Sequence, residues 1–590
     1  MIHTSLTQYS NDDYNVTSVQ IKARQRPTNL PDNHLGLSSI TTGILASRGI
    51  SQSSGLDLGL KHLLPPQGLS HIDKAAELLA EAVTAEASVV IVGDFDADGA
   101  TSSALAVRCL RAFGLASVSY LVPNRFEYGY GLSPEIVGVA AMRQPDVIIT
   151  VDNGISSVDG VHAAQALGMS VLVTDHHLPG EELPTADVIV NPNLPGDRFA
   201  SKNLAGVGVI FYVMLALRAR LREMGWFSQQ GVSEPNMSQF LDLVALGTVA
   251  DVVPLDRNNR ILVQQGMQRI RQGLACPGIN ALLTIGNRNP LRLSSADLGF
   301  AVGPRLNAAG RLDDMSVGIE CLLSDDPDKA LALAVQLDDL NKERKQVEQS
   351  MQQDALLIVE NIKVDETSSP SIYAIHDPTW HQGVVGLVAS RIKERTNRPV
   401  IAMAPGEEEG EWKGSARSVE GVHIRDLLAR VDALHPGLMT KFGGHAMAAG
   451  MSVPETKLTQ FISVVERIAA ELTKDKDWSQ VIWTDGPLAA SDFTMKLAEE
   501  LRQSTPWGQG FPEPLFDSEF EVLDARTVGL THAKLKLRPI DGNQPIDAIC
   551  FGYLDTHDDL PSGTIHAAYK LDVNEYRDNL SLQLMIEHIE

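Results

Sequence analysis

The chain is short of cysteine, of basic charge and of long apolar runs, and each shortage removes a class of protein. Four cysteines (Cys109, Cys276, Cys321, Cys550) are scattered through 590 residues with no CxxC pair. That excludes a disulfide frame and a thiolate zinc site, and fits buried small hydrophobes in a reducing compartment. Lysine and arginine total 49 against 74 acidic residues, a formal charge of −25. A surface so acidic is soluble and does not attract nucleic acid or anionic membrane in bulk, so any DNA contact must be local. No apolar run approaches the ~20 residues of a membrane helix. The opening MIHTSLTQYSNDDYNVTSVQ has no basic start followed by an apolar core, so it is not read as a signal peptide. The expected place of work is the cytoplasm.

What is present is a globular composition, 44% hydrophobic and 21% charged, in a chain long enough for three or four domains. Residues 1–70 are polar and turn-rich and read as a partly ordered arm. From 71 to 325 apolar runs such as SVVIVGD, DVIITVDN, SVLVTD and DVIVNP each end in a polar cluster and alternate with helix-like stretches. That pattern predicts a doubly wound, mostly parallel sheet. Residues 326–362 show apolar periodicity near 3.6 with no glycine and no internal proline, which predicts one long connector helix. A smaller α/β pattern covers 363–477. The last stretch, 478–590, is a run of short alternating strands, as in a small β-barrel. The fold class is therefore α/β multidomain.

IVGDFDADGA (91–100) raises a question of charge. Asp94, Asp96 and Asp98 crowd three carboxylates onto alternate positions where a strand turns into a helix. Asp152 in TVDNG, the trio Asp175, His176 and His177 in VTDHH, and Asp251 in LGTVADVVPL also follow apolar runs and read as strand ends. A doubly wound sheet binds its ligands off those ends. A single aspartate there is ordinarily a helix N-cap, and a lone His-His pair is ordinarily structural. The conjunction, with few cations nearby to neutralise it, points to one or two divalent metals. Carboxylates with imidazole and no thiolate suit Mn²⁺ or Mg²⁺ better than zinc. Two such ions can clamp a phosphate and activate water against it.

DFDADG, PNR (123–125), DNG (152–154) and DHH (175–177) resemble, in order, the motifs of the DHH phosphoesterase superfamily. FGGHAMAAG (442–450) resembles the hallmark of the companion DHHA1 domain. GPRLNAAGRLDD (303–314), HQGVVGLVASR (381–391) and GSARS (414–418) narrow the likeness to the RecJ-type single-strand-specific exonucleases, from about residue 70 to the end. The resemblance implies a DHH catalytic domain, a DHHA1 domain and a C-terminal OB-fold. It also implies two Mn²⁺ or Mg²⁺ ions held by Asp96, Asp98, Asp152, His176 and Asp251, with Asp152 bridging. Many superfamily members place a histidine at the position of Val92. This chain supplies Asp94 instead, to touch metal or to orient its neighbours. His177 is expected to donate to a phosphate oxygen.

Phosphate contacts are expected from Arg125, Arg305, Asn307 and Arg311 in the first domain. In the second, Ser415, Arg417, Gly444 and His445 are expected to contact phosphate, since small residues admit a backbone to a ligand and arginine grips phosphate bidentately. The resemblance implies a pocket there that reads the 5′ end, expected at Ser415, Arg417 and His445. With the terminal phosphate in one domain and metals in the other, a 5′ mononucleotide would leave, and a narrow passage would exclude duplex. Lys534, Lys536 and Arg538, with Phe551 and Tyr553, are candidates for single-strand contacts on the barrel. PWGQGFPEP (506–514) departs from the family's usual form at Trp507 and Phe511. Implied partners are single-stranded DNA with a 5′ end, a single-strand-binding protein and a helicase; no membrane is involved. The alternatives are a phosphodiesterase for short RNA oligomers or cyclic dinucleotides, and an inactive scaffold. Rates on long single strands against dinucleotides separate the two enzymes, and turnover itself separates the scaffold.

Overall fold

The computed structural model describes residues 19–25, 27, 36–123, 131–362, 370–408, 410–576 and 579–590. They fall into two compact units. One takes the described residues up to Arg24 together with Lys345–Pro487; the other takes Gln25–Arg344 together with Leu488–Glu590. No helix among the described residues is long and apolar enough to cross a membrane.

The larger unit is built on five parallel strands, Val89–Gly93, Val118–Leu121, Val147–Val151, Ser170–Thr174 and Val188–Val190. Numbered in chain order they lie 2-1-3-4-5 across the sheet. Val89, Ile91, Ile149 and Leu172 face one apolar core, and Val90, Val92, Ile148, Val171 and Val173 face another. Burial on both faces explains why these strands read as unbroken Val/Ile runs. The strand order reverses between the first and third strands, and that switch point is where doubly wound sheets open a ligand crevice.

The same unit ends in a closed barrel of the strands Phe516–Val528, His532–Pro539, Ile546–Cys550, Thr564–Tyr576 and Asn579–Ile589. In His532–Pro539, Ala533, Leu535 and Leu537 point inward while Lys534, Lys536 and Arg538 point outward. The outward cations are not alone. Lys536 stands across from Asp524 and Asp547, and Arg538 pairs with Glu521.

The smaller unit holds a five-stranded mixed sheet, with Glu411–Arg417 between Val400–Pro405 and Ala448–Pro454. The expected connector is the single helix Pro327–Ile362, and the division between the units falls within it. One expected boundary moves. Gln480–Thr484 forms a parallel pair with Val19–Ala23, so 478–487 groups with the smaller unit rather than with the barrel. The arm is also better packed than its polarity suggested. Helix Ser39–Ser47 buries Ile44 and Leu45, and its Ser38 cap is anchored on Glu500. All four cysteines are free, and three of them are buried.

Candidate metal centre and phosphate-binding residues

Strand Val89–Gly93 delivers Asp94 to the crevice, and the chain turns at once into helix Ala97–Ala112. The turn is tight: a Cβ on Gly99 would lie 2.4 Å from the Asp94 carbonyl oxygen. Asp96 caps the helix, accepting from the N–H groups of Asp98 and Gly99 at 2.9 and 3.0 Å. The ordinary N-cap role and a place in the acidic cluster thus coexist in one residue. Asp98 is fully buried, and its carboxylate accepts the N–H groups of Gly206 and Val207 at 2.6 and 2.9 Å. These open helix Gly206–Glu223, whose positive end favours a carboxylate.

Asp152 follows strand Val147–Val151 with φ +63, a left-handed conformation that costs a non-glycine residue roughly 1–3 kcal/mol. Asn153 donates to the carbonyls of Val92 and Val151, tying together the two strands at the switch point. After Ser170–Thr174, buried Asp175 accepts the backbone N–H groups of Ile155, His176 and His177. It also lies 2.7 Å from His177 Nδ1. Asn193 and Asn191 donate to the carbonyls of His176 and His177. Asp251 arrives differently from expectation: it ends the buried helix Leu241–Ala250, not a strand. A short apolar run buried on all sides does not reveal its period.

Side-chain donors from these elements gather into overlapping groups, the ligand atoms of each within 4.8 Å of one another. Asp94, Asp96 and Asp152 form one, Asp98, His176 and Asp251 a second, and Asp152, His176 and His177 a third. Asp152 belongs to two of them. His176 Nε2 lies 3.1 Å from Asp152 and 3.5 Å from Asp251, and neither that nitrogen nor Asp251 Oδ2 makes a hydrogen bond among the described residues.

The electrostatics describe a site short of positive charge. Burial, then the charge of Asp251, pushes Asp98 up to about 7. Burial and Asp96 do the same to Asp251, and Asp152 is raised by burial and its acidic neighbours. Burial holds His176 below the usual imidazole range, as a neutral ligand requires. Burial opposes charge on His177 too, but the hydrogen bond and charge of Asp175 prevail and raise it to about 9. Buried carboxylates pushed towards protonation, beside a neutral imidazole with an unbonded nitrogen, fit a pair of divalent cations.

The other expected residues divide. Arg125 lies outside the described residues. Arg305 binds Asp338 at 2.8–2.9 Å and donates to the Ala301 carbonyl, which fixes the position of its guanidinium. Asn307 accepts the Ala97 N–H at 2.8 Å and so supports the first acidic loop. Gly310 on the same helix packs so closely that a Cβ there would lie 1.6 Å from the Phe95 carbonyl oxygen, which puts Arg311 next in sequence to that contact. Sequence reasoning gave no role to the supports Asn153, Asn191 and Asn193; Asn153 was signalled by the DNG motif, and the other two only by a place at a strand end.

In the smaller unit the expected residues do come together. Ser415 and Arg417 alternate along one strand, opposite Gly450 and Ala448. A Cβ on Gly386, in the first turn of helix Val385–Thr396, would lie 3.0 Å from both Ser415 Oγ and an Arg417 nitrogen. Gly444 has φ +141, with the Ala448 carbonyl oxygen 2.4 Å from where its Cβ would stand, and exposed His445 donates its N–H to that same oxygen. Burial lowers the Arg417 pKa.

This fold and this site define a DHH-type phosphoesterase, a hydrolase that works with divalent cations. The model of the DHH family, N-terminal domain, matches residues 88–248; the DHHA1 domain matches 369–471 and the RecJ OB domain 484–588. The chain is 52% identical over 577 residues to the single-stranded-DNA-specific exonuclease RecJ of Dickeya dadantii (strain 3937), covering 97% of this chain and 99% of that one. Against the protein of the same name from Escherichia coli (strain K12) it is 51% identical over 573 residues, with the same coverage. The crystal structure of RecJ in complex with Mn²⁺ from Thermus thermophilus matches with a TM-score of 0.78 at 28% identity, over 97% of this chain and 79% of that one. The Mg²⁺ complex from the same organism matches at 0.73 and 27%, over 97% and 78%. The chain belongs to the RecJ family.

Proposed function

We propose that the chain degrades single-stranded DNA from the 5′ end, releasing 5′ mononucleotides in DNA repair and recombination. The observation that carries this is the set of overlapping donor groups at the sheet's switch point, two of them sharing Asp152 and two sharing His176. Asp94, Asp96 and Asp152 would hold one ion, and Asp98, His176 and Asp251, with Asp152 shared, the other. Bound there, Mn²⁺ or Mg²⁺ supplies neutralising charge, polarises the phosphodiester and makes water a stronger nucleophile. His177, with Nδ1 fixed by Asp175, whose hydrogen bond and charge favour the imidazolium, would direct Nε2 to a non-bridging phosphate oxygen, where charge builds up. Arg311, beside the first acidic loop, is assigned to a neighbouring phosphate.

Ser415 Oγ, the Arg417 guanidinium, the turn at Gly444 and His445 are assigned to the terminal 5′ phosphate. Their support is the close packing of Gly386 over the first two and the glycine-rich hairpin beside them. A cytoplasmic setting is proposed, with a single-strand-binding protein and a helicase supplying ends.

The test is digestion of end-labelled single- and double-stranded DNA, with metal or chelator, by the protein and by Asp152→Asn. Mononucleotides from the 5′ end of single strands only, abolished by chelation and by the substitution, are expected. Cleavage that survives chelation, or an equal rate on a cyclic dinucleotide, overturns the reading.

A further inference from the structure

The segment after Asp251 is held in a conformation it would not choose. Val252 has φ +62, the left-handed region, where a β-branched side chain is a genuine outlier. It is also largely exposed, at 62%, so packing of its own side chain does not hold it there. Part of the restraint is local, since the Val252 N–H donates to the Val249 carbonyl at 3.3 Å in a left-handed helix C-terminus; the rest comes two and three residues later. The Pro254 carbonyl accepts from buried Asn259 Nδ2 at 3.0 Å, and the Leu255 N–H donates to the Gln509 carbonyl at 2.7 Å.

Gln509 lies in the turn that leads into the barrel, and that turn is itself rigid. Gly508 and Phe511 exchange two backbone hydrogen bonds, at 2.9 and 3.0 Å. Trp507 and Phe511 stack at 5.3 Å and 16°. The Arg260 guanidinium lies 4.2 Å from the Phe511 ring centroid on the side of helix Arg257–Arg271, and Arg48 caps Trp507 at 5.5 Å. Trp507 Nε1 donates to the Leu501 carbonyl, and Ser295 Oγ donates to the Trp507 carbonyl. The two glycines admit the segment itself: a Cβ on Gly508 would lie 2.8 Å from Leu255, and Gly510, at φ +68, would place one 3.2 Å from Pro254.

We infer that the 507–511 turn is a brace for the fourth acidic motif, and that Gln509, Trp507 and Phe511 are positioning residues for Asp251. The inference rests on the assignment of Asp251 as a metal ligand. Without the Leu255–Gln509 bond the strained backbone at Val252 relaxes, and Asp251 Oδ2 leaves its place 3.5 Å from His176. The brace touches no substrate; it acts on how well the second ion is held. Supports of this kind are worth about 10–100-fold in metal affinity.

The experiment is calorimetric titration of the full chain with Mn²⁺, for the unaltered protein, Phe511→Ala, Phe511→Tyr, Gly510→Ala and Asp251→Asn. Alongside it, the Mn²⁺ concentration giving half-maximal cleavage is measured. Phe511→Ala is expected to weaken one of two Mn²⁺ sites about tenfold and to raise the half-maximal concentration accordingly. The maximal rate should return at saturating Mn²⁺, and Phe511→Tyr, which keeps the stack, should restore affinity. Gly510→Ala serves where Phe511→Ala does not fold. Unaltered affinity in the folded brace variants, with Asp251→Asn weakened, overturns the brace alone. Unaltered affinity in Asp251→Asn removes the ligand assignment and the brace with it.

Discussion

Individual carboxylates carry the clearest thermodynamic signature. Asp98 and Asp251 titrate near 7 in the folded chain against 3.8 for the free side chain, so between those values the folded state binds more protons than the unfolded one. Metal-free stability therefore falls as pH rises through that window, and His177, raised to about 9, adds a loss at higher pH in the same direction. His176, His376 and His588, held low by burial, work the other way, against the raised Asp98, Asp152, Asp242, Asp251 and His177. Chelated protein should melt at a lower temperature at pH 8 than at pH 5.5, and Mn²⁺ should recover more stability at pH 8. A chelated melting temperature that rises across that interval would contradict the electrostatics. At this scale the sequence was legible where a residue type and its place in a motif coincide, as at Asp96, Asp152 and His176. It was opaque where a partner lies far along the chain. Nothing near Arg305 announces Asp338, and nothing near Asn307 announces Ala97.

Among the elements, helix Gly303–Leu312 matters more than its distance in sequence from the acidic loop suggests. Asn307 caps Ala97, and Gly310 rests on the Phe95 carbonyl with no room for a methyl group. Gly310→Ala should push this helix off the loop that carries Asp94 and Asp96. Cleavage is expected to fall by about 10²-fold, as misplacement by ~1 Å can cost, while circular dichroism keeps its helical signal. Near-normal activity would show that the loop does not depend on this contact. The parallel strands and the connector were readable because period and length agreed. The helix before Asp251 was not, because Leu241–Thr248 are all buried and one apolar run serves strand or helix equally well.

For the whole molecule, a charge of −25 leaves few places for a phosphate backbone. On the barrel Lys536 and Arg538 already face carboxylates. Affinity should therefore depend more on the terminal phosphate than on the length of strand bound. Arg417→Ala should weaken binding of 5′-phosphorylated single strands by roughly tenfold or more, the worth of a charged hydrogen bond, and 5′-hydroxyl strands much less. Equal loss on both would disprove the end-reading role. The order of domains was visible from composition and period, but their borders were not. Gln480–Thr484 takes its partner from more than four hundred residues away, and local sequence carries no trace of that.

That pairing also sets a schedule. Val19 leaves the ribosome long before the strand it must join, which begins at Gln480. At about 5–20 residues per second, the first strand waits roughly 20 to 90 s for its mate to be translated. Through that interval it is an unpaired edge in a nascent polypeptide, and this two-stranded pairing forms only once synthesis has passed Thr484.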